Sequence, residues 1–234
     1  MRRFLRENGL SLVFFGFFVL AVTGQAFAGW HDFNDQATAH HETTISLGRY
    51  LTSSSFGNAL LENWQSEYLQ FTLYILLTVW FVQRGSPESK KPGEEGGESD
   101  EDQRVGTHAR PDSPRWARVG GLRTRLYSNS LLIVMGTIWV LSWFGQSVTG
   151  WSEYNSDQIT HHQPTVNWLG YVGSADFWQA TLQNWQSEFL AVGSMAALSI
   201  YLRQRGSPES KPVGAPHDAT GSRADAPAPK RPAP

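Results

Sequence analysis

Uncharged apolar stretches alternate with charge-dense ones along this chain, and that alternation predicts its elements. Residues 8–30, between Glu7 and His31, carry no charged side chain over about 23 positions, where a membrane-spanning helix needs roughly 20. Residues 126–152, between Arg125 and Glu153, give a second such stretch of about 27. Two shorter runs follow the same pattern, about 16 residues at 68–83 and about 14 at 189–202. At 1.5 Å per residue these cover roughly 24 and 21 Å of a hydrocarbon layer about 30 Å thick. They reach across only if Glu67 or Arg84, and Glu188 or Arg203, lie at or inside the boundary. Arginine can snorkel there, whereas glutamate is shorter and needs a protein or water partner. The pattern therefore predicts four spans, near 9–29, 64–83, 127–149 and 185–203.

The basic residues orient these spans. Of 19 Lys and Arg, three precede the first span, nine lie between the second and third, and six follow the fourth. Only Arg49 lies in the first-to-second connection, and none lies in the third-to-fourth. The positive-inside tendency then places both termini and the middle loop in the cytoplasm, with the connections at about 31–57 and 153–178 facing outward. Arg2 to Arg6, an apolar run and Ala26-Phe27-Ala28 before Gly29 also fit a cleavable signal peptide. The expectation here is an uncleaved span, because the same segment recurs inside the chain.

That recurrence is a fixed offset of 121 residues. Gly24-Gln25 falls on Gly145-Gln146, Gly29-Trp30 on Gly150-Trp151, Asn34 on Asn155 and Tyr50 on Tyr171. His40-His41 falls on His161-His162, and the NWQSE run from Asn63 to Glu67 repeats from Asn184 to Glu188. QRGSPESK at 83–90 repeats at 204–211, and about 34 of the 86 positions aligned without a gap are identical. Each copy holds two spans, so the copies are expected to be parallel repeats about an axis along the membrane normal. The organisation expected is repeat one at 1–90, a cytoplasmic linker at 91–124, repeat two at 125–211 and a tail at 212–234. Linker and tail, rich in Glu, Gly, Pro and Ala, are expected to be disordered. The fold class is all-α, an integral membrane four-helix bundle.

FLRENGLSL at the start, GQ before the first outward loop, NWQSE and the GSPESK ending together resemble an uncharacterised family of small bacterial membrane proteins, a domain of unknown function that carries this duplication. The resemblance spans nearly all of 1–90 and 125–211. It implies a prokaryotic cytoplasmic-membrane protein and brings no activity or catalytic residue with it.

Candidate chemistry lies in the repeated polar positions. Ser53, Ser54 or Ser55, and Ser174 or Asp176, are N-cap residues for helices starting near Phe56 and Phe177. Such helices put Asn63 and Glu67 on one face, four residues apart, and likewise Asn184 and Glu188. The two glutamates can act as a paired carboxylate site for a cation or proton, or can bond Asn, Ser, Gln25 or Gln146 and fix helix packing. Trp64 and Trp185 suit an interfacial aromatic belt. His40, His41, His161 and His162 are the candidate metal ligands, although adjacent histidines on a helix point about 100° apart. A short helix starting at Asn34 or Asn155 would end at them. Gly85 and Gly206 suit helix C-caps, with Pro87 and Pro208 preventing continuation. Gly193, Ala196, Ala197 and Ser199 would allow close helix approach in the fourth span, where the second has Thr72, Ile75, Leu76 and Thr78.

Composition narrows the function classes. The 234 residues include 10 Trp and no Cys, which excludes disulfides, thiol nucleophiles and cysteine metal sites. A net charge of -2 leaves no basic surplus for nucleic acid. No P-loop, GxSxG, HExxH or GxGxxG motif is present. The expectation is a non-enzymatic, multi-pass membrane protein that needs no cofactor. Its partners are the lipid bilayer and a second copy of the same chain. An ion- or proton-coupled transporter using Glu67 and Glu188 is the first alternative, and an outward metal-binding protein the second.

Overall fold

The computed structural model describes residues 2–221, and the chain is all-helical there, with no strand among the described residues. After a short α1, Arg2–Glu7, come α2 (Gly9–Ala39), α3 (Leu47–Tyr50) and α4 (Ser54–Trp80). Next are a 3-10 turn at Gly106–His108, α5 (Arg115–Arg118), α6 (Gly121–Ser128), α7 (Ser130–Thr160), α8 (Trp168–Val172) and α9 (Ala175–Tyr201). The bounds of α2 and α7 differ by 121 residues at both ends, as do those of α4 and α9.

Two of these helices, α2 and α7, are long and apolar enough to cross a membrane. At 31 residues each they measure about 46 Å. In their most apolar windows only 6% and 17% of the residues are buried, unlike the core helix of a soluble protein. The 27-residue α4 and α9 are of spanning length, but their first halves carry Glu62, Glu67, Asp176 and Glu188 among several Asn, Gln and Ser.

Contacts divide the chain into two compact units. The first comprises 1–62 with 144–178, and the second 63–143 with 179–234. In the first, hydrogen bonds explain several of the repeated residues. The Trp30 indole donates to the Ile45 carbonyl at 2.7 Å, and the Asn34 amide bonds both the carbonyl and the N–H of Ile45 at 3.0 and 2.8 Å. Trp151 and Asn155 make the same three bonds to Val166, at 2.7, 2.9 and 2.9 Å. Asn34 and Asn155 therefore begin no short helix. They lie inside α2 and α7, which run unbroken to the histidines, and they tie the following loop back onto the helix.

The expected caps of α4 and α9 are present: Phe56 N–H donates to Ser53 Oγ at 3.2 Å and Phe177 N–H to Ser174 Oγ at 3.3 Å. The other ends differ from expectation. Gly85 and Gly206 have the left-handed φ values of 89° and 87°, but α4 stops at Trp80 and α9 at Tyr201, several residues earlier. The glycines sit instead in turns closed by Ser86 N–H to the Gln83 carbonyl at 3.0 Å and Ser207 N–H to the Gln204 carbonyl at 3.2 Å. Ser89 and Ser210 fold back to accept from Gln83 and Gln204 N–H at 2.8 and 2.9 Å. Each GSPESK run is thus a self-bonded knot placed after the helix.

In the second unit the linker and the start of the tail are ordered where disorder was expected. Besides α5 and α6, Gly96 N–H bonds the Val79 carbonyl at 2.7 Å and Lys90 pairs with Glu98 at 3.1 Å. Lys211 is 5% exposed and donates to the carbonyls of Pro216, His217 and Ala219 at 3.2, 2.8 and 3.2 Å. Thr220 accepts from Gly85 N–H at 2.8 Å, so 212–221 docks on the first GSPESK knot. Polar residues in that segment find carbonyl and N–H partners, which composition does not reveal. The expected disorder over 222–234 lies outside the described residues. The small residues of α9 make no close helix contact at Gly193, where a Cβ would meet nothing within 4 Å. An apolar groove of about 470 Å³ lies there, lined by Leu77, Phe81, Phe189 and Val192 among others.

Candidate functional site

In the second unit the buried side chains are largely polar. Gln65 and Thr181 are 0% exposed, and Ser66, Ser142 and Thr72 are also buried. Trp185 Nε1 donates to Gln65 Oε1 at 2.7 Å, and its ring lies 5.7 Å from Trp143, which stacks on Trp139 at 6.1 Å. The indole expected at a membrane interface is thus committed to a buried amide. Trp64 is half-buried. Asn184 bonds the Ala180 carbonyl of its own helix at 2.9 Å. Glu67 and Glu188 fall in this unit together with Asn63, and the charge of Glu188 acts on Glu67.

A second pair of carboxylates meets at the ends of α4 and α9. The Tyr74 hydroxyl donates to Glu88, and Glu88 hydrogen-bonds Glu209, its counterpart in the other GSPESK run. That bond holds Glu209 above the usual carboxylate range, with the negative charge of Glu88 acting the same way. Both line a cavity of about 300 Å³ with Phe71, Val192 and Met195. This cavity has no Glu67 or Glu188 in its wall.

Gln25 and Gln146 fall in the first unit, and the NWQSE residues from Asn63 and from Asn184 in the second. Gln25 is half-buried; Gln146 is 1% exposed, and its side-chain carbonyl has no hydrogen-bond partner among the described residues. One and two turns on, the same face of α7 presents Gly150 and Glu153. A Cβ on Gly150 would lie 2.4 Å from the Tyr171 hydroxyl and 2.9 Å from Asn58 Oδ1; one on Gly29 would lie 2.2 Å from the Tyr50 hydroxyl. The two tyrosines thus press their hydroxyls onto the glycines of the two GW pairs. Glu153 accepts hydrogen bonds from Ser55 and Asn58, while Glu62 and Asp176 act on it through their charges. Burial pushes the Glu153 carboxyl above the usual range. Burial, together with Asp176, Glu153 and Glu62, pushes the Tyr171 hydroxyl up to about 12. Tyr50 is raised by burial and by Glu153 and Asp32. None of Glu153, Asn58, Tyr50, Tyr171 or Gln65 stood out in the sequence, although the GW and Tyr matches at the 121 offset marked the place.

The histidines have a backbone task. His41 N–H bonds the Thr38 carbonyl at 3.1 Å and Glu42 N–H the Ala37 carbonyl at 2.7 Å, a Schellman closure of α2. His162 and Gln163 close α7 in the same way at 3.1 and 2.7 Å. His41 and His162 occupy the left-handed position, at φ 62° and 56°, where glycine is the usual residue. His40 and His161 meet edge to face at 6.4 Å, and His161 lies 3.4 Å from Asp157. Among the described residues no three His, Asp or Glu side chains converge as a metal cluster. His162→Gly should therefore stabilise the fold by about 1 kcal/mol, the left-handed strain less the added chain entropy of glycine. Denaturant unfolding in detergent measures this, and a loss of stability would give the imidazole some other task.

A sequence family described as a domain of unknown function, DUF6766, matches residues 1–222. No curated protein and no solved structure matches the chain.

Proposed function

We propose, from the premise that the chain belongs to the DUF6766 family, that it is a four-span, non-enzymatic protein of a bacterial cytoplasmic membrane. In this reading 1–90 and 125–211 are parallel repeats that form a four-helix bundle. Both termini and the 91–124 linker are cytoplasmic, and the caps that follow α2 and α7 face outward. The observation that carries it is an inverted distribution of polarity. Phe14, Phe15, Leu20, Leu131 and Leu141 stand exposed at 58–70%, whereas Gln65, Ser66, Ser142 and Thr181 are buried. Water penalises that arrangement and lipid favours it, since lipid leaves apolar side chains at no cost and drives polar ones to seek partners inside. The identical Trp-Asn loop clamps and the equal offsets of the helix bounds support the duplication.

The chain has no cysteine, so single-cysteine variants test the topology on a clean background. Thr44→Cys and Thr165→Cys should react with an impermeant maleimide on intact cells. Glu101→Cys should react only after permeabilisation. Labelling of Glu101→Cys on intact cells, or a chain that stays dissolved without detergent, overturns the reading.

A second reading follows from the charge of Glu188 acting on Glu67. Two carboxylates in electrostatic reach at membrane depth suit ion or proton transfer. Proteoliposomes should then show a pH- or cation-dependent flux that the Glu67→Gln, Glu188→Gln double variant abolishes. An unchanged flux in that variant removes the idea.

A further inference from the structure

Around Glu153 the first unit gathers acidic groups and oxygen acceptors from six elements. Glu153 itself is on α7, and Ser55, Asn58 and Glu62 are on α4. Asp176 comes from α9, Tyr171 from α8 and Tyr50 from α3, while the charge of Asp32 on α2 also acts on Tyr50. Every charge named here is negative. Acidity alone would indicate only a solvated patch, but two further features point to a ligand.

The first is the tyrosines. Tyr171 is 3% exposed and Tyr50 4%, and neither hydroxyl makes a hydrogen bond among the described residues. Tyr171 is held against Gly150 within the field of Glu153, Glu62 and Asp176. The second is Asn58. Its amide serves Glu153, yet its Oδ1, beside Tyr171 over Gly150, is buried with no donor among the described residues.

We propose that this cluster binds a monovalent cation, an alkali ion or an ammonium group, with the Glu153 carboxylate as its charged ligand and Asn58 Oδ1, the Ser55 hydroxyl and the Tyr171 hydroxyl as neutral oxygen donors. The charge count selects the ligand class. An anion would be repelled by Glu153, Glu62 and Asp176. A divalent ion favours several carboxylates in direct contact, and no three acidic or imidazole groups converge here. One central carboxylate with neutral oxygens around it, and further acids acting only through their field, matches a single positive charge.

Cation and proton then compete for Glu153. Because burial raises its carboxyl in the folded state, the proton-linked stability is fully present below the ordinary glutamate value. That stability is lost as pH rises through the raised folded value, and over the same range a bound cation would replace the proton.

The test uses the full chain in detergent, with thermal unfolding followed at constant ionic strength in choline chloride. Sodium, potassium, ammonium and methylammonium chlorides are each exchanged in, at pH 8 and pH 5. The expected result is a saturable rise in the midpoint with at least one of them. Its half-saturating concentration should be higher at pH 5 than at pH 8, because the raised carboxyl holds a proton there more often. A response to sodium or potassium identifies an alkali ion, and one confined to ammonium and methylammonium an ammonium group. Glu153→Gln should abolish the response. Asn58→Leu, which retains the charge, should weaken it at least tenfold and covers the case in which Glu153→Gln fails to fold. Equal midpoints in choline and in all four salts overturn the proposal. So does a response that both variants retain, or a Glu153-dependent response to calcium at lower concentration than any monovalent salt.

Discussion

Phe177→Ala should cost about 3–5 kcal/mol, the largest loss expected from any single truncation in this chain. Phe177 is 2% exposed and meets Tyr171 edge to face at 5.6 Å, while Tyr171 in turn lies 5.5 Å from Tyr154. It opens α9 directly after the Ser174 cap, so its ring fixes where the loop from α8 turns into the helix. The first copy has a matching pair in Tyr50 and Phe56 at 5.5 Å. Both groups lie beyond the proposed spans, where water is the alternative environment for an exposed ring and the usual transfer and cavity costs apply. Phe14→Ala is the contrasting control. Phe14 is 64% exposed on α2, and its truncation should leave stability nearly unchanged in detergent. Denaturant unfolding of both variants, followed by tryptophan fluorescence, checks the contrast. Near-equal losses would mean that Phe177 does not anchor the cap.

What the sequence made legible, and what it hid, divides along physical lines. Helix positions follow from charge-free length, and Ser53 and Ser174 follow from the chemistry of an orphan N–H, both of which are local. Helix ends were harder to read. Nothing within 31–39 breaks a helix, so α2 continues to Ala39, and it stops only where His41 turns left-handed. Asn34 and Asn155 read as starting residues because Asn caps helices well. Their actual partners, Ile45 and Val166, are 11 residues away, beyond any local rule. The same limit hid Gln65: as part of NWQSE it looked equivalent to Gln186, yet it is fully buried and bonded to Trp185 whereas Gln186 is exposed. Equal sequence does not force equal environment when neighbouring positions have diverged. The carboxylate surroundings of Glu153 were hidden for a related reason, because the cluster gathers from six elements spread over 32–176. Only matching residues flanking each contribution, Gly29 and Gly150 with Tyr50 and Tyr171, left a trace in the pattern.

Those two glycines give the other large expected effect. Helix propensity alone says that Gly→Ala inside a helix should stabilise by about 0.5–1 kcal/mol, and Gly24→Ala should do so, since nothing lies within 4 Å of its Cβ position. Gly150→Ala should have the opposite sign. Its methyl would sit 2.4 Å from the Tyr171 hydroxyl and 2.9 Å from Asn58 Oδ1, closer than carbon and oxygen tolerate. Tyr171 cannot swing away, because its ring is held by Tyr154 and Phe177. The loop from the Asn155 clamp to α8 must shift instead, at a cost of about 1–3 kcal/mol. Gly150→Ala combined with Tyr171→Phe separates the hydroxyl clash from a general loss of space. Removing the oxygen relieves the closest contact, so the double variant should recover most of the stability that Gly150→Ala loses. Additive losses in the double variant would place the strain in the backbone rather than at the hydroxyl. A stabilising Gly150→Ala would show that Tyr171 does not lie over this glycine, and the donor set assigned around Glu153 would then lose its phenol.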